Sequence, residues 1–266
     1  MPTLALLGGG RMGESLLGGL LDAGWEPEHL AVAEVDAERR RVLEERFPGV
    51  RVAPSPAWAV ADVDVVVLAV KPAVAVEALE QCLPSLGADT LVISIAAGVR
   101  LATLDVAVPG RPVVRAMPNT PALVRRAATA ISPGEHASDV HLAEAERVLG
   151  AVGIVVRVPE AQLDAVTALS GSGPAYVFLV AEALIDAGVL AGLPRPVADQ
   201  LTRETLLGAA MLLAEGESPE ALRAAVTSPG GTTAAGLHVL ESRGTRAALL
   251  DAVRAAAARS IELGDA

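Results

Sequence analysis

Residues 3–13 read Thr3-Leu4-Ala5-Leu6-Leu7-Gly8-Gly9-Gly10-Arg11-Met12-Gly13, a short apolar run that enters a glycine-rich turn. A helical pattern follows over Glu14–Ala23 and ends at Gly24. Strand, Gly-x-Gly-x-x-Gly and helix in this order are the context of a dinucleotide-binding site. The first glycine permits the tight turn, the second lets the backbone approach a pyrophosphate, and the third lets helix and strand pack closely. The stretch therefore predicts a cofactor site, with a plain glycine-rich turn as the alternative.

An acidic residue follows the second predicted strand, Leu30–Ala33, about twenty residues after the last glycine of the motif. Glu34 at this position can accept hydrogen bonds from the adenosine ribose and would repel a 2′-phosphate. Asp36 can instead cap the helix that comes next. Arg39–Arg41 on that helix could offset Glu34 by pairing with a phosphate, although such a run is more often a solvated face. NADH and NADPH therefore both remain possible.

Continuous runs rich in Val, Leu and Ile predict further buried parallel strands. The predicted strands and extended pieces are Thr3–Leu7, Leu30–Ala33, Val50–Val52, Val63–Val70, Leu91–Ile95, Val113–Ala116, Ala127–Ile131 and Gly153–Val156. Three of them end in turn-forming sequence, at Lys71-Pro72, Ala96-Ala97-Gly98 and Met117–Pro121. Open α/β sheets bind ligands at the carboxyl ends of their strands, so the Ala69–Pro72 turn should face the cofactor. The pattern predicts a Rossmann-type, doubly wound α/β domain over residues 1–157.

From residue 158 the pattern changes to Ala and Leu at helical spacing. The predicted helices are Gln162–Gly188 (interrupted at Gly171–Pro174), Pro196–Glu215, Pro219–Ala225, Thr233–Glu241 and Thr245–Leu263. A helical region this apolar leaves an uncovered face, and small residues let helices approach closely. We therefore predict an all-helical C-terminal dimerisation domain over residues 158–266, with burial against the first domain as the alternative.

Composition excludes several classes of function. The net charge of −11 argues against a nucleic acid partner, whose phosphates need a basic protein face. Cys82 is the single cysteine, so an internal disulfide and a cysteine-built zinc site are excluded, and the four histidines lack metal-ligand spacing. No signal peptide is visible, and apolar runs such as Val63–Val70 are too short to span a membrane. The expectation is a cytoplasmic protein without a metal site.

The stretch Val226-Thr227-Ser228-Pro229-Gly230-Gly231-Thr232-Thr233 separates two helical patterns. Pro229 and the two glycines prevent a continuous helix, so the chain turns and a helix restarts. Unpaired N–H groups and the dipole at such a restart favour an anion, while an ordinary Ser/Thr cap is the alternative. His238 could reach this stretch, but no acid–base pair is evident. Because an imine can be protonated before it binds, a hydroxyl such as that of Thr233 would suffice to orient it.

Four segments together resemble the pyrroline-5-carboxylate reductases of proline biosynthesis, and the similarity runs in order through essentially the whole chain. They are Gly8–Gly13, Ala69–Pro72, Leu169–Tyr176, and Val226–Thr233 with Ala235-Gly236-Leu237 and Glu241; Val114–Pro121 is also similar. The resemblance implies an oxidoreductase that reduces the imine of 1-pyrroline-5-carboxylate to L-proline with NADPH or NADH. It also implies a homodimer with interleaved helical domains, often further assembled into a decamer.

The resemblance implies roles for individual residues. On the cofactor side these are Gly8, Gly9, Gly10, Arg11, Met12, Gly13, Glu34, Ala69, Val70, Lys71, Pro72, Ala96, Ala97 and Asn119. On the substrate side they are Glu160, Ser228, Gly231, Thr232 and Thr233, of which Thr233 is the catalytic residue that hydrogen-bonds the imine nitrogen. Two positions depart from the family pattern. Glu34 replaces a residue that suits a 2′-phosphate, and Ala225 replaces a polar residue near the substrate end.

Three other functions are compatible with parts of this pattern. A β-hydroxyacid dehydrogenase would carry a catalytic lysine in its helical domain, whereas the only lysine here is Lys71 in the first domain. A reductase of another cyclic imine would keep the same cofactor motif. A non-catalytic NAD(P)-binding regulator would not need the hydroxyl groups of residues 226–233. Turnover of 1-pyrroline-5-carboxylate with NAD(P)H separates the last two from the family activity.

Overall fold

The computed structural model describes residues 2–264. Its strands are β1 Leu4–Leu7, β2 Leu30–Ala33, β3 Arg51–Ala53, β4 Val65–Leu68, β5 Leu91–Ser94, β6 Val113–Met117, β7 Ala127–Pro133 and β8 Gly153–Arg157. They form one sheet in the order β3-β2-β1-β4-β5-β6-β7-β8. Neighbouring strands are parallel except β6 and β7, which are antiparallel. The predicted Rossmann-type α/β fold is confirmed.

Twelve α-helices accompany these strands within the described residues. They are α1 Arg11–Asp22, α2 Ala37–Arg46, α3 Pro56–Ala59, α4 Ala75–Cys82, α5 Leu101–Ala107, α6 Asp139–Gly150, α7 Leu163–Val166, α8 Gly173–Leu190, α9 Arg195–Ala214, α10 Pro219–Ala225, α11 Thr232–Ser242 and α12 Thr245–Gly264. The interruption predicted at residues 171–174 takes the form of a π-helical turn over Thr167–Gly171. Its signature is the 2.8 Å hydrogen bond from the Ser172 N–H to the Thr167 carbonyl.

The sheet has a hydrophobic core on each face, because successive residues of a strand point to opposite sides. Leu4 and Leu6 of β1 belong to the core that contains the leucines of α1, whereas Leu7 belongs to the core that contains Leu79 of α4. Trp25 closes the first core and is 5% exposed; the Arg147 guanidinium lies 4.5 Å from its ring centroid. The doubly wound arrangement therefore follows from strands that are apolar on both sides.

Strand β1 has β2 on one side and β4 on the other, so the strand order reverses beside it. The helices that follow β1 and β2, α1 and α2, pack on one face of the sheet, whereas α3 and α4, which come before and after β4, pack on the other. In such a sheet a crevice opens at the carboxyl ends of the strands, where the connections diverge. The glycine motif leaves the carboxyl end of β1 and leads directly into this crevice.

The chain divides into two compact units, one formed by residues up to Ser172 together with the end of α12 from Ala256, the other by Gly173–Ala255. The end of α12 is attached to the first unit by a 2.6 Å hydrogen bond from the Ser260 hydroxyl to Asp164. The predicted boundary after residue 157 coincides with the end of β8, the last strand. The helical stretch from Glu160 onward thus begins within the first unit.

The second unit, Gly173–Ala255, is called the helical unit. It buries little of its apolar surface within one chain. Across residues 173–255 only Ile185, Ala198 and Thr202 are buried, whereas Phe178 is 63% and Leu190 is 90% exposed. By length and composition alone, the helical stretch Glu160–Leu190 could cross a membrane; an 18-residue window within it has a mean hydropathy of 1.5. Helices whose apolar faces pack against another protein chain have the same composition.

Candidate active site

The three glycines of the first turn meet three different constraints. Gly8 has φ +105°, and a β-carbon there would lie 2.7 Å from the carbonyl oxygen of Ala69. A β-carbon at Gly13 would collide with the carbonyl of Gly8. Gly10 has open space around its α-carbon, with no atom within 4 Å of the position a β-carbon would take. The outer glycines are therefore required by packing, and the middle one leaves room for a ligand to reach the backbone.

Helix α1 begins at Arg11 without a side-chain cap at Gly10. Its first hydrogen bond runs from the Glu14 N–H to the Gly10 carbonyl at 2.8 Å. The N–H groups of the residues between them, Arg11, Met12 and Gly13, therefore precede the first helical bond. Such groups, together with the helix dipole, favour an anion. This geometry fits the pyrophosphate of a dinucleotide.

A cleft of about 570 Å³ adjoins this turn at the carboxyl ends of β1, β2 and β4. The cofactor-side residues among its lining are Gly8, Gly10, Glu34, Ala69, Val70 and Lys71; Val35, Pro56, Val74, Ala78 and Gln81 also line it. Pro72 is exposed at the start of the next turn, and after β5 Ala96 is buried while Ala97 is exposed. Gly9 is buried behind the turn against Leu43. The cleft brings together residues from the ends of β1, β2 and β4, including Ala69–Lys71 of one predicted turn, whereas Pro72, Ala96, Ala97 and Asn119 are not part of its lining.

Glu34 binds the glycine turn directly. Its Oε2 accepts a 2.9 Å hydrogen bond from the Gly9 N–H, and its Oε1 accepts one of 2.9 Å from the Asp36 N–H. Asp36 caps α2, because its Oδ1 accepts a hydrogen bond from the Arg39 N–H at 2.8 Å. Asp36 therefore acts as the N-cap of α2, as the sequence allowed. Glu34 is left as the carboxylate at the β2 end of the cleft, and Glu77 of α4 also lines the cleft.

Asn119 connects the strand region to the π-helical turn. Its side-chain amide donates to the Ser170 carbonyl at 2.9 Å, and its amide oxygen accepts from the Ala128 N–H at 2.9 Å. The side chain is buried, and Met117 nearby lies so close to Gly171 that a β-carbon there would be 2.8 Å from its methyl group. Asn119 therefore holds the backbone of the turn in place and has one amide hydrogen and one lone pair left.

Glu160 forms a partly buried ion pair that sequence reasoning did not find. Its Oε1 accepts hydrogen bonds from the Leu101 N–H at 2.7 Å and from Nη1 of Arg115 at 2.8 Å. Arg115 is 6% exposed, and its only sequence signal was a charge inside an apolar strand. Both bonds use the same oxygen, so Oε2 of Glu160 remains for another contact. Glu160 and Asp105 line a second, more open cleft, separate from the cofactor cleft, and burial raises the pKa of the Asp105 carboxyl group.

In the helical unit, the turn before α11 leaves backbone N–H groups without a helical partner. Gly230 has φ +67°, the Gly231 N–H donates to the Ser228 carbonyl at 3.0 Å, and the Ser228 hydroxyl lies over the α-carbon of Gly231. The first helical bond runs from Ala235 to Gly231 at 3.2 Å, so the N–H groups of residues 232–234 precede it.

The hydroxyls of this turn differ from those of an ordinary helix cap. Within residues 2–264, Gly231 caps α11 without a side-chain hydrogen bond, and no protein group binds the hydroxyls of Ser228, Thr232 or Thr233. Thr227 is different, since its hydroxyl donates to the Arg223 carbonyl at 2.6 Å and closes the end of α10. His238 is exposed one turn further along α11. The exposed hydroxyls and N–H groups are therefore free to bind an anion.

Glu241 joins the helices on either side of this turn. Its carboxylate lies 2.8 Å from Nε of Arg246 on α12 and 3.7 Å from Nη1 of Arg223 on α10. All three side chains are about half exposed, so the pairs contribute little to the free energy of unfolding. They place charged side chains of α10, α11 and α12 close together beside the turn.

Comparison with known proteins gives consistent results over both parts of the chain. Residues 160–263 match the family described as pyrroline-5-carboxylate reductase dimerisation, and residues 3–98 match the family described as NADP oxidoreductase, coenzyme F420-dependent. A pyrroline-5-carboxylate reductase of Synechocystis is 48% identical, and the alignment covers 98% of each chain.

Solved structures agree with this similarity. The structure of a pyrroline-5-carboxylate reductase from Coxiella burnetii superposes with a TM-score of 0.94 at 37% identity, covering 98% of both chains. A pyrroline carboxylate reductase from Plasmodium falciparum, crystallised with NADP bound, gives a TM-score of 0.85 at 30% identity and covers 99% of this chain and 98% of its own.

Proposed function

The chain belongs to the pyrroline-5-carboxylate reductase family, and on that premise we propose how its residues carry out the reaction. The activity is the NAD(P)H-dependent reduction of 1-pyrroline-5-carboxylate to proline, in proline biosynthesis. The substrate combines a carboxylate with a cyclic imine. A site for it therefore needs an anion-binding group and a hydrogen-bonding group for the ring nitrogen.

The bound nicotinamide supplies the hydride for this reaction. The glycine turn and the start of α1 would hold its pyrophosphate through the N–H groups of Arg11, Met12 and Gly13. Gly10 allows the close approach, because the space above its α-carbon is open. Ala69, Val70, Lys71 and Pro72, with Ala96 and Ala97 after the next strand, would line the path of the cofactor along the strand ends. Asn119 supports this edge by fixing the turn at Ser170.

The observation that carries the substrate assignment is the start of α11, with unpaired N–H groups and three exposed hydroxyls. The N–H groups of Gly231, Thr232 and Thr233 lie at a helix N-terminus, where a carboxylate is favoured. Gly231 itself already donates to Ser228, so the two threonines supply the free donors. Ser228 contributes its hydroxyl from the turn above. This set would hold the substrate carboxylate.

Thr233 would orient the imine. An imine that is already protonated carries its own positive charge, and its N–H donates to the Thr233 hydroxyl. The protein then needs no strong acid, so neither His238 nor a lysine has to protonate the substrate. Precise positioning of the electrophilic carbon is the main contribution left to the protein. We assign Glu160 to the substrate side as well, through its remaining oxygen Oε2.

The family match over residues 160–263 makes this chain homo-oligomeric through its helical region. We propose a dimer as the basic unit, because the exposed Phe178, Leu179 and Leu190 need a partner surface. We further propose assembly of such dimers into a decamer and a cytoplasmic location. The number of chains in the assembly is measured by light scattering after size-exclusion chromatography.

The proposed role of Thr233 is tested by Thr233→Val and Thr233→Ser. Valine keeps the shape and removes the hydroxyl, and we expect kcat/KM for 1-pyrroline-5-carboxylate to fall by about one to three orders of magnitude. Serine keeps the hydroxyl and should retain most of the activity. NAD(P)H affinity, measured by fluorescence titration, should be the same in both variants. Unchanged kinetics in Thr233→Val would refute the assignment.

A further inference from the structure

The carboxylate of Glu34 is fixed where β2 ends, at the edge of the cofactor cleft. Two backbone N–H groups, those of Gly9 and Asp36, hold one oxygen each at 2.9 Å. In a doubly wound nucleotide-binding sheet, the end of the second strand is where the adenosine ribose is recognised. A carboxylate there can accept from the ribose hydroxyls, whereas a 2′-phosphate on the same ribose would be repelled.

Two arginines that could attract a 2′-phosphate, Arg39 and Arg46, are paired with Glu14. Arg39 donates from Nε to the Gly9 carbonyl at 2.7 Å and pairs through Nη2 with Glu14. Glu14 pairs through its other oxygen with Arg46, and only 13% of its side chain is exposed. Glu14 therefore neutralises two guanidinium groups beside the glycine turn.

Three further cations lie on the elements around Glu34. Arg40 donates from Nη1 to the carbonyls of Glu34 and Val35, both at 2.8 Å, and so is attached to the backbone beside the ribose position. Arg41 pairs on the exposed face of α2 with Glu38 and Glu45. Lys71 follows β4, on the opposite side of β1 from Glu34. Arg40 is thus the one to test as a competing phosphate ligand.

From this arrangement we propose that the protein selects NADH over NADPH by means of two acids. Glu34 occupies the ribose end of the cleft, and Glu14 withholds Arg39 from a 2′-phosphate. The inference rests on the proposed cofactor role of the glycine turn and adds the identity of the cofactor. Glu14 is a positioning residue in this scheme, since it acts only through the arginine that it binds.

The test is the dissociation constant of NADH and of NADPH, measured by fluorescence titration without substrate. The unmodified protein should bind NADH on the order of tenfold to a hundredfold more tightly than NADPH, the size expected for one repulsive charge contact near a protein surface. Glu34→Gln keeps an oxygen for the Gly9 N–H but removes the charge, and should bring the two constants within about threefold of each other. Adding Glu14→Gln should strengthen NADPH binding further.

Control variants separate this mechanism from general effects of charge. Glu38→Gln removes the same charge from the exposed face of α2, outside the cleft, and should leave the NADH to NADPH ratio unchanged. Arg39→Gln should abolish the gain produced by Glu14→Gln in the Glu34→Gln background. Thermal unfolding of each variant shows that it is folded, so a change in ratio reflects the site.

Two results would overturn the proposal. One is equal or tighter binding of NADPH by the unmodified protein; if Arg40→Ala then lost that binding, Arg40 would be the phosphate ligand. The other is a ratio that does not respond to Glu34→Gln. Failure of both cofactors to bind would instead refute the cofactor role of the glycine turn, and the inference with it. None of these readouts depends on Thr233 or on turnover.

Discussion

The hydroxyl group of Ser228 lies in the space that a β-carbon at Gly231 would occupy. The backbone of Gly231 is extended, at φ −78° and ψ 172°, so alanine is excluded there by this contact and not by its own conformation. Gly231→Ala should therefore displace Ser228 and open the turn before α11. We expect KM for 1-pyrroline-5-carboxylate to rise about tenfold to a hundredfold, as for the loss of one hydrogen bond to a charged group.

A matched control for this substitution is Gly150→Ala. Gly150 is the exposed last residue of α6, and no atom lies within 4 Å of the position of its β-carbon. Steady-state kinetics of this variant should equal those of the unmodified protein. If Gly231→Ala behaved in the same way, the contact with Ser228 would not shape the substrate site.

Substitutions at two glycines of the first turn should have different effects, one on cofactor affinity and the other on the free energy of unfolding. Gly10→Ala places a methyl group in the open space above the turn, and we expect cofactor affinity to fall at least about tenfold because the pyrophosphate approaches there, with the melting temperature unchanged. Gly13→Ala pushes a methyl group into the Gly8 carbonyl and should lower the free energy of unfolding by about 1–3 kcal/mol. Urea unfolding and cofactor titration of both variants check this; equal loss of stability would contradict it.

The ion pair of Arg115 with Glu160 should matter for stability. Glu160→Gln leaves the buried guanidinium without its counter-charge; breaking a fully buried pair costs about 3–5 kcal/mol. Because 32% of the Glu160 side chain is exposed, we expect about 1–3 kcal/mol here. Glu45→Gln, which breaks an exposed pair with Arg41, should cost no more than about 0.5 kcal/mol.

The same variant tests the assignment of Glu160 to the substrate side. If Oε2 contacts the substrate, KM for 1-pyrroline-5-carboxylate should rise in Glu160→Gln at temperatures where the variant is fully folded. A variant that is less stable but has unchanged KM would restrict Glu160 to holding Leu101 and Arg115 in place.

Burial raises the pKa of the Cys82 thiol from 9.0 to about 12. The unfolded chain therefore loses this proton near pH 9 while the folded chain keeps it, so the unfolded state binds fewer protons in that range. Stability is fully present below pH 9 and should fall by up to about 1.4 kcal/mol per pH unit between pH 9 and 12. Cys82→Ala should lack this part of the slope in urea unfolding at each pH. Identical slopes in both proteins would contradict the shift.

Local signals in the sequence predicted those parts of the fold that depend on neighbouring residues. The bounds of α2 follow from the cap at Asp36, and those of α10 from Ser218, whose hydroxyl accepts from the Ala221 N–H, and Pro219. The strand ends that line the cofactor cleft were predictable because parallel strands place their carboxyl ends at one edge. The turn before α11 was predictable because Pro229 and two glycines cannot continue a helix.

Other features depend on residues far apart in the chain, and no local pattern encodes them. Arg115 and Glu160 are 45 positions apart, and Arg39 is 25 positions from Glu14. The π-helical turn at Thr167–Gly171 was read as a break, because glycine and proline near it usually end a helix. Pro174 instead lies in the first turn of α8, where its missing N–H costs nothing.

Both tryptophans, Trp25 and Trp58, lie in the nucleotide-binding unit, and none lies in Gly173–Ala255. Intrinsic tryptophan emission is consequently a spectroscopic reporter of that unit alone, and Trp25, buried beneath Arg147, should change its emission when the sheet core opens. Far-ultraviolet circular dichroism, by contrast, is dominated by helix and follows both units. Denaturation curves recorded with the two probes will coincide only if the units unfold together.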